Sequence, residues 1–182
     1  MRRVDPARLI FIDEAGANLA MGRSHAWVLR GQEYVEPRPM NWGDNLTMVG
    51  AICERGWVTL GTCWRAMNAK RFLQWVRRAL VPRLWAGAIV VLDNLAAHKQ
   101  AAVRAAIERV GASVKFLPPY SHDFNPIESA WGLVKKHIKT CAPRAAAALR
   151  RVARAGRHAV RPHHCAAWVA HAGYGNSSTF RG

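Results

Sequence analysis

Apolar positions along the chain fall into two periods. Leu9-Ile-Phe-Ile12 and Ala88-Ile-Val-Val-Leu92 are short, continuous apolar runs, the pattern of strands covered on both faces. We place strand one at Arg8–Asp13, strand two at Leu46–Glu54 and strand three at Trp57–Trp64, with Arg55-Gly56 as the turn of a hairpin. Ala88–Leu92 is strand four and Ser113–Leu117 strand five. Phe72, Trp75, Val76, Ala79 and Leu80 recur at helical spacing after Asn68, a good cap, and before Pro82. Val103, Ile107 and Val110 predict a second helix from about Lys99, stopped by Gly111. Ile127, Trp131, Val134 and Ile138 predict a third, with Asn125 as N-cap and Pro126 at its first position. On a neighbouring face Glu128, Gly132, Lys135 and Lys139 line up. Residues 15–46 give no clean period and read as an insertion or hairpin, with His25–Arg30 as its one strand candidate. Arg144–His158 predicts an Ala- and Arg-rich helix that carries Arg150, Arg154, Arg157 and Arg161 on one face. Cys165–Tyr174 is mildly apolar and packs back, and residues 175–182 read as a disordered tail.

These elements allow an α/β domain at residues 1–142, followed by a basic helix and tail at 143–182, packed on it or flanking it. A chain of 182 residues is ample for one core and short for two. Hydrophobic content of 51% with eight Trp excludes a disordered chain.

Charge sharpens the picture. The formal net charge is +16, from 27 basic and 11 acidic residues, which points to a polyanion, nucleic acid first. Arg outnumbers Lys 21 to 6, so part of the excess reflects composition bias, but bias does not explain the shortage of acids. The four cysteines show no Cys-x-x-Cys spacing and read as reduced thiols of a cytoplasmic protein. Neither His163-His164-Cys165 with His171 nor His137 with Cys141 has the spacing of a structural zinc site.

The acids sit in telling places. Strand one runs into Asp13-Glu14, strand four into Asp93-Asn94, and Glu128 opens the third helix. A strand covered on both faces has no use for a charge unless that charge projects from its end. Singly, each carboxylate has a local explanation: a turn at Asp13, an Asx turn at Asp93, a capping box between Asn125 and Glu128. Together they form a set of oxygen ligands for a hard divalent ion. Glu14 and Asp123 are weaker acidic candidates.

Phe11-Ile-Asp-Glu14, Val91-Leu-Asp-Asn94 with His98-Lys99, Leu117-Pro-Pro-Tyr-Ser121 and Asn125-Pro-Ile-Glu128 resemble the DDE transposases, and more narrowly the bacterial insertion-sequence branch of the mariner superfamily. The thirty-four residues between Asp93 and Glu128 fit that branch, and the resemblance runs from about Arg8 to Tyr174. It implies an RNase H-like fold, a mixed five-stranded sheet flanked by helices. It implies a catalytic triad of Asp13, Asp93 and Glu128 that holds two Mg²⁺ or Mn²⁺ ions, with Asn94 and His98 in support. It also implies cleavage of DNA at transposon ends and strand transfer into a target by a homodimer on DNA, a nucleoid-associated protein of the cytoplasm. Lys135, Lys139, Arg150, Arg154 and Arg157 are the candidate phosphate contacts. The chain departs from the pattern at His122, where relatives carry Pro, and at Phe124, where they carry Leu. It also has no helix-turn-helix before strand one, so reading of the ends is expected from a separate or fused partner. Alternatives are an RNase H-like nuclease without strand transfer and a remnant that only binds DNA.

Overall fold

The computed structural model describes residues 4–23, 25–36, 43–95, 98–119 and 121–174. Its core is one five-stranded sheet: β1 (Leu9–Ala17), β2 (Leu46–Cys53), β3 (Gly56–Trp64), β4 (Ile89–Leu92) and β5 (Ser113–Phe116). The strand order is β3-β2-β1-β4-β5. β1, β2 and β3 form an antiparallel meander, while β4 and β5 add parallel to β1. This is the expected mixed sheet. Gly56, at φ 118°, makes the tight β2–β3 turn that a side chain would resist.

The parallel strands need crossovers, and helices provide them. α1 (Ala69–Trp75) links β3 to β4, and α2 (Ala101–Glu108) links β4 to β5. Asn68 caps α1 as expected, its side chain accepting from the Arg71 N–H at 2.9 Å. The helix does not stay regular to Leu80, because it widens into a π turn over Val76–Leu80 and tightens to 3₁₀ over Val81–Arg83, where Pro82 sits. Gly111, at φ 77°, follows α2 as the predicted stop.

α3 (Ile127–Cys141), α4 (Ala146–Ala155) and α5 (Pro162–Val169) follow β5. Alternation along the strands then sorts the core into two layers. Leu9, Phe11, Ile89 and Val91 pack with Trp131, Val134 and Ile138 of α3, Leu149 and Ala153 of α4, and Cys165 and Val169 of α5. Ile10, Ile12, Val90 and Leu92 pack with Phe72, Val76, Leu80, Val103 and Ile107 on the other side. The apolar segment Cys165–Tyr174 thus packs back, as expected, but as part of a helix with Pro162 at its first turn.

Three expectations change. His25–Arg30 forms no strand. Its arm follows β1, which is already paired on both edges by β2 and β4, and the sheet's open edges lie on β3 and β5. Instead Trp27, Val28, Leu29, Tyr34 and Val35 are exposed along it. The arm is pinned at its ends, where Glu36 receives Arg144 at 2.8 Å and Arg23 donates to the Thr140 carbonyl at 3.3 Å. Second, the basic helix stops at Ala155, and Arg157 and Arg161 lie beyond it, in a 3₁₀ turn and at the start of α5. Third, α3 starts without an Asn125 side-chain cap, since Asn125 Oδ1 is buried without a partner among the described residues. The expected tail at 175–182 lies outside the described residues. Among the described residues no helix is long and apolar enough to cross a membrane.

Because Leu149 is buried in the same layer as Phe11, Leu149→Ala should cost about 2–5 kcal/mol of stability, measured by chemical denaturation. An unchanged midpoint would mean that α4 is only an appendage.

Candidate active site

Parallel pairing between β1 and β4 ends with Phe11 opposite Val91. Asp13 and Asp93 each lie two residues beyond that pair, so the two acids leave adjacent strands at the same level. Asp13 does not end its strand. β1 continues to Ala17 along β2, with Asp13 opposite Gly50. The acid therefore stands where the sheet stops being parallel, at the mouth between β1 and β4.

Alternation divides the neighbouring acids. Asp13 has the parity of Leu9 and Phe11 and turns toward α3, where Trp131 Nε1 donates to its Oδ2 at 3.1 Å. Glu14 has the parity of Ile10 and Ile12 and turns to the other layer. There Glu14 Oε1 lies 3.0 Å from Nε2 of His98, whose ring packs on Phe72 with centroids 4.3 Å apart. The other nitrogen of His98, Nδ1, bonds to Asp93 Oδ1, which also accepts the Leu95 N–H at 3.1 Å. His98 is 1% exposed and joins the two layers through one ring.

The electrostatics follow from this geometry. Burial pushes the Asp13 carboxyl up to about 7, and the charges of Glu128, Glu14 and Asp93 add to the rise against a lowering backbone hydrogen bond at Glu14. Asp93 also pays for burial, but the His98 hydrogen bond, the Leu95 N–H and the charges of His98 and His122 together hold it below the usual carboxylate range. Burial pulls His98 down, yet its hydrogen bonds to Asp93 and Glu14 and their charges outweigh this and lift it to about 9. The ring is thus a cation at neutral pH, with both N–H groups donating.

Glu128 lies in the first turn of α3, half-exposed, with Oε1 3.9 Å from His122 Nδ1. Beside it opens a cleft of about 430 Å³ lined by His122, Asp123, Asn125, Ser129, Trp168 and His171 among others. Among the described residues no three of the His, Cys, Asp and Glu side chains converge closely enough, as they stand, to hold a metal ion. The donor set nevertheless suits one. Carboxylates whose charges all act on the partly buried Asp13 form a repulsive cluster of hard oxygen ligands, which a divalent cation would relieve.

The remaining candidates separate. Asn94 is half-buried next to Asp93, but the described bonds to that acid come from His98 and Leu95. Lys135 and Lys139 share the open face of α3 with Glu128 and Gly132, as expected. Arg154 and Arg157 are exposed, whereas Arg150 lies over the Trp64 ring at 5.4 Å with its Nε buried and without a partner among the described residues. Arg150 is therefore engaged in packing through its Nε and the face of its guanidinium, unlike the exposed Arg154 and Arg157. Trp131 was legible only as a core residue. Its spacing of three from Glu128, which puts both on one side of the helix, is the signal for its second role.

Removing the buried charge makes a test with a defined sign. Between the unfolded value near 3.8 and the native value near 7, the native state holds a proton on Asp13 that the unfolded chain has released. Stability therefore falls across that window and levels off above it. Asp13→Asn lacks this fall. Without divalent ions it should match wild type near pH 3.5 and exceed it by about 2–4 kcal/mol at pH 8, read by urea denaturation.

Comparison with known proteins agrees with the geometry. Residues 8–150 match the family described as DDE superfamily endonuclease. Among solved structures, a Mos1 transposase paired-end complex with left transposon end is similar at a TM-score of 0.70 and 19% identity, covering 90% of this chain and 52% of that one. The Mos1 mariner paired-end complex with Mg matches at 0.69 and 19%, covering 91% and 52%. The catalytic domain of Mos1 mariner transposase matches at 0.63 and 17%, covering 91% and 76%. The chain thus spans about half the length of the transposase chains in those complexes. A comparison with curated proteins finds no match. The fold is RNase H-like, and the chain belongs to the DDE superfamily endonuclease family.

Proposed function

We propose that this chain is the catalytic part of a DNA transposase of the bacterial insertion-sequence branch of the mariner superfamily, cleaving DNA phosphodiester bonds and joining the freed 3′ end to target DNA. The observation that carries this reading is the equal level of Asp13 and Asp93 beyond the parallel ladder, with Asp13 electrostatically tied to Glu128. Solved Mos1 complexes hold transposon-end DNA and, in separate structures, Mn or Mg, which supports DNA as substrate and a divalent ion as cofactor.

Asp13, Asp93 and Glu128 would hold two Mg²⁺ or Mn²⁺ ions. When bound, such ions lower the pKa of an attacking water and stabilise the departing 3′ oxygen. The chain's own groups prepare for this. His98 keeps Asp93 ionised, so one ligand is ready at any working pH. Asp13, its carboxyl pushed up to about 7 by burial and the neighbouring acids, is partly protonated near neutrality and would release that proton on holding a cation. Glu128 rides on a helix whose open face continues into Lys135 and Lys139, a track for the phosphate chain. Sequence-specific reading of the ends would come from a helix-turn-helix, fused or separate, and the working unit would be a homodimer on DNA.

Asp93→Asn should abolish cleavage of end-containing DNA in Mg²⁺ or Mn²⁺ while leaving DNA binding intact, because an amide is a poor ligand for a hard cation. The variant should fold with reduced stability, since His98 loses a charged partner, and thermal melting checks that it is folded in the assay. Near wild-type cleavage by the purified variant would sink the reading. Cleavage without joined product would instead identify a nuclease, and binding without cleavage by the wild type a remnant.

Phosphate contacts give a second check. Changing Lys135 and Lys139 together to Ala should flatten the plot of log affinity against log salt by about two, equally for end-containing and random duplexes. An unchanged slope would remove α3 from the DNA track.

A further inference from the structure

Trp131 is 1% exposed, its indole tilted against Trp57 with centroids 5.3 Å apart, and its N–H ends on Asp13 Oδ2. Trp57 Nε1, by contrast, is buried without a partner among the described residues, so the pair of rings is not arranged merely to satisfy indole N–H groups. Space for the ring comes from Gly50, directly opposite Asp13 on β2. A Cβ there would lie 2.6 Å from the Trp57 ring and 2.9 Å from the Trp131 ring, closer than real contacts allow. Gly50 has an ordinary strand backbone with no positive φ, so close ring approach is what calls for glycine here.

We infer that Trp131 is a positioning residue for Asp13. Its indole N–H, carried on the Glu128 helix and admitted by Gly50, fixes the Asp13 carboxylate through one oxygen, so that two of the three acidic groups are set by one helix. This rests on the reading of Asp13 as a metal ligand. Partners that orient a ligating carboxylate are worth about 10- to 100-fold in metal affinity. The bond does so without adding charge, because an indole donates but does not titrate. A shift or rotation of α3 therefore moves Asp13 and Glu128 together, and the register of β2 against β1 bears on the site through Gly50.

The test uses the full chain with β-(3-benzothienyl)alanine at position 131, which keeps the bicyclic shape and replaces N–H by sulfur. Mn²⁺ binding is read by electron paramagnetic resonance in the absence of DNA, with cleavage read separately and thermal melting as the control for folding. The expected result is a folded variant that binds Mn²⁺ about 10- to 100-fold more weakly and regains part of its cleavage at high Mn²⁺. Gly50→Ala, which crowds the Trp131 ring from β2 and leaves the sequence of α3 unchanged, should lose affinity in the same direction. In ¹⁵N-Trp spectra of the wild type, the indole signal absent from Trp131→Phe should move on adding Mg²⁺ and in Asp13→Asn. A folded benzothienyl variant with wild-type Mn²⁺ affinity and cleavage would overturn the positioning role. Asp13→Asn with wild-type Mn²⁺ affinity and cleavage would overturn the ligand reading beneath it.

Discussion

Alternation of side chains along β1 governs this structure. One strand, paired on both edges, sends Leu9, Phe11 and Asp13 to the layer of α3–α5, and Ile10, Ile12 and Glu14 to the layer of α1 and α2. The same two-residue period that divides the core divides the acids, so adjacent carboxylates do different work. Asp13 meets an indole and the field of Glu128, and Glu14 meets an imidazole. A slip of one residue in the β1–β4 register would exchange these roles and bury the wrong acid.

Much of this was legible in the sequence, for a physical reason. Two apolar runs that end in carboxylates mark a sheet edge, the Arg55-Gly56 turn marks the hairpin of strands two and three, and the RNase H-like arrangement of the five strands came from the family resemblance. The two-sided burial of Leu9–Ile12 and Ile89–Leu92 needs helices on both faces, which the 3.6-residue stripes supplied. What escaped was whatever depends on contact across the fold. Asn125 has the chemistry of a cap, yet its side chain is buried elsewhere. Arg150 has the spacing of an open basic face, yet Trp64 lies beneath it. His25–Arg30 has the composition of a strand, but the strand it follows is already paired on both edges, by β2 and β4. In each case local preference was overridden by a neighbour distant in sequence. His98 was anticipated as support for Asp93, but its second bond, to Glu14, required knowing which face Glu14 takes.

The charge distribution divides surface from site. Four of the eleven acidic residues, Asp13, Glu14, Asp93 and Glu128, gather at one sheet edge in a chain with net charge +16. The basic excess outside draws a polyanion in, while the acid cluster repels it at the last step unless cations intervene. His98 offsets part of that repulsion internally and ties Glu14 to Asp93, so the edge holds together before any ion binds.

The layering also shapes how the chain is made. The odd-numbered face of β1 is covered mainly by residues of α3 to α5 and by Tyr174, more than a hundred positions downstream. On the ribosome, β1 to β5 and the helices α1 and α2 emerge first, and half the sheet stays open to solvent until Ile127 and its successors follow. Glu128 and Trp131 arrive in that same final portion. The cover of the core and the last pieces of the site are therefore delivered together. A nascent chain cannot bring Glu128 and Trp131 to Asp13 before it begins to close its own hydrophobic interior, because one helix carries both the acid and the first residues of the cover.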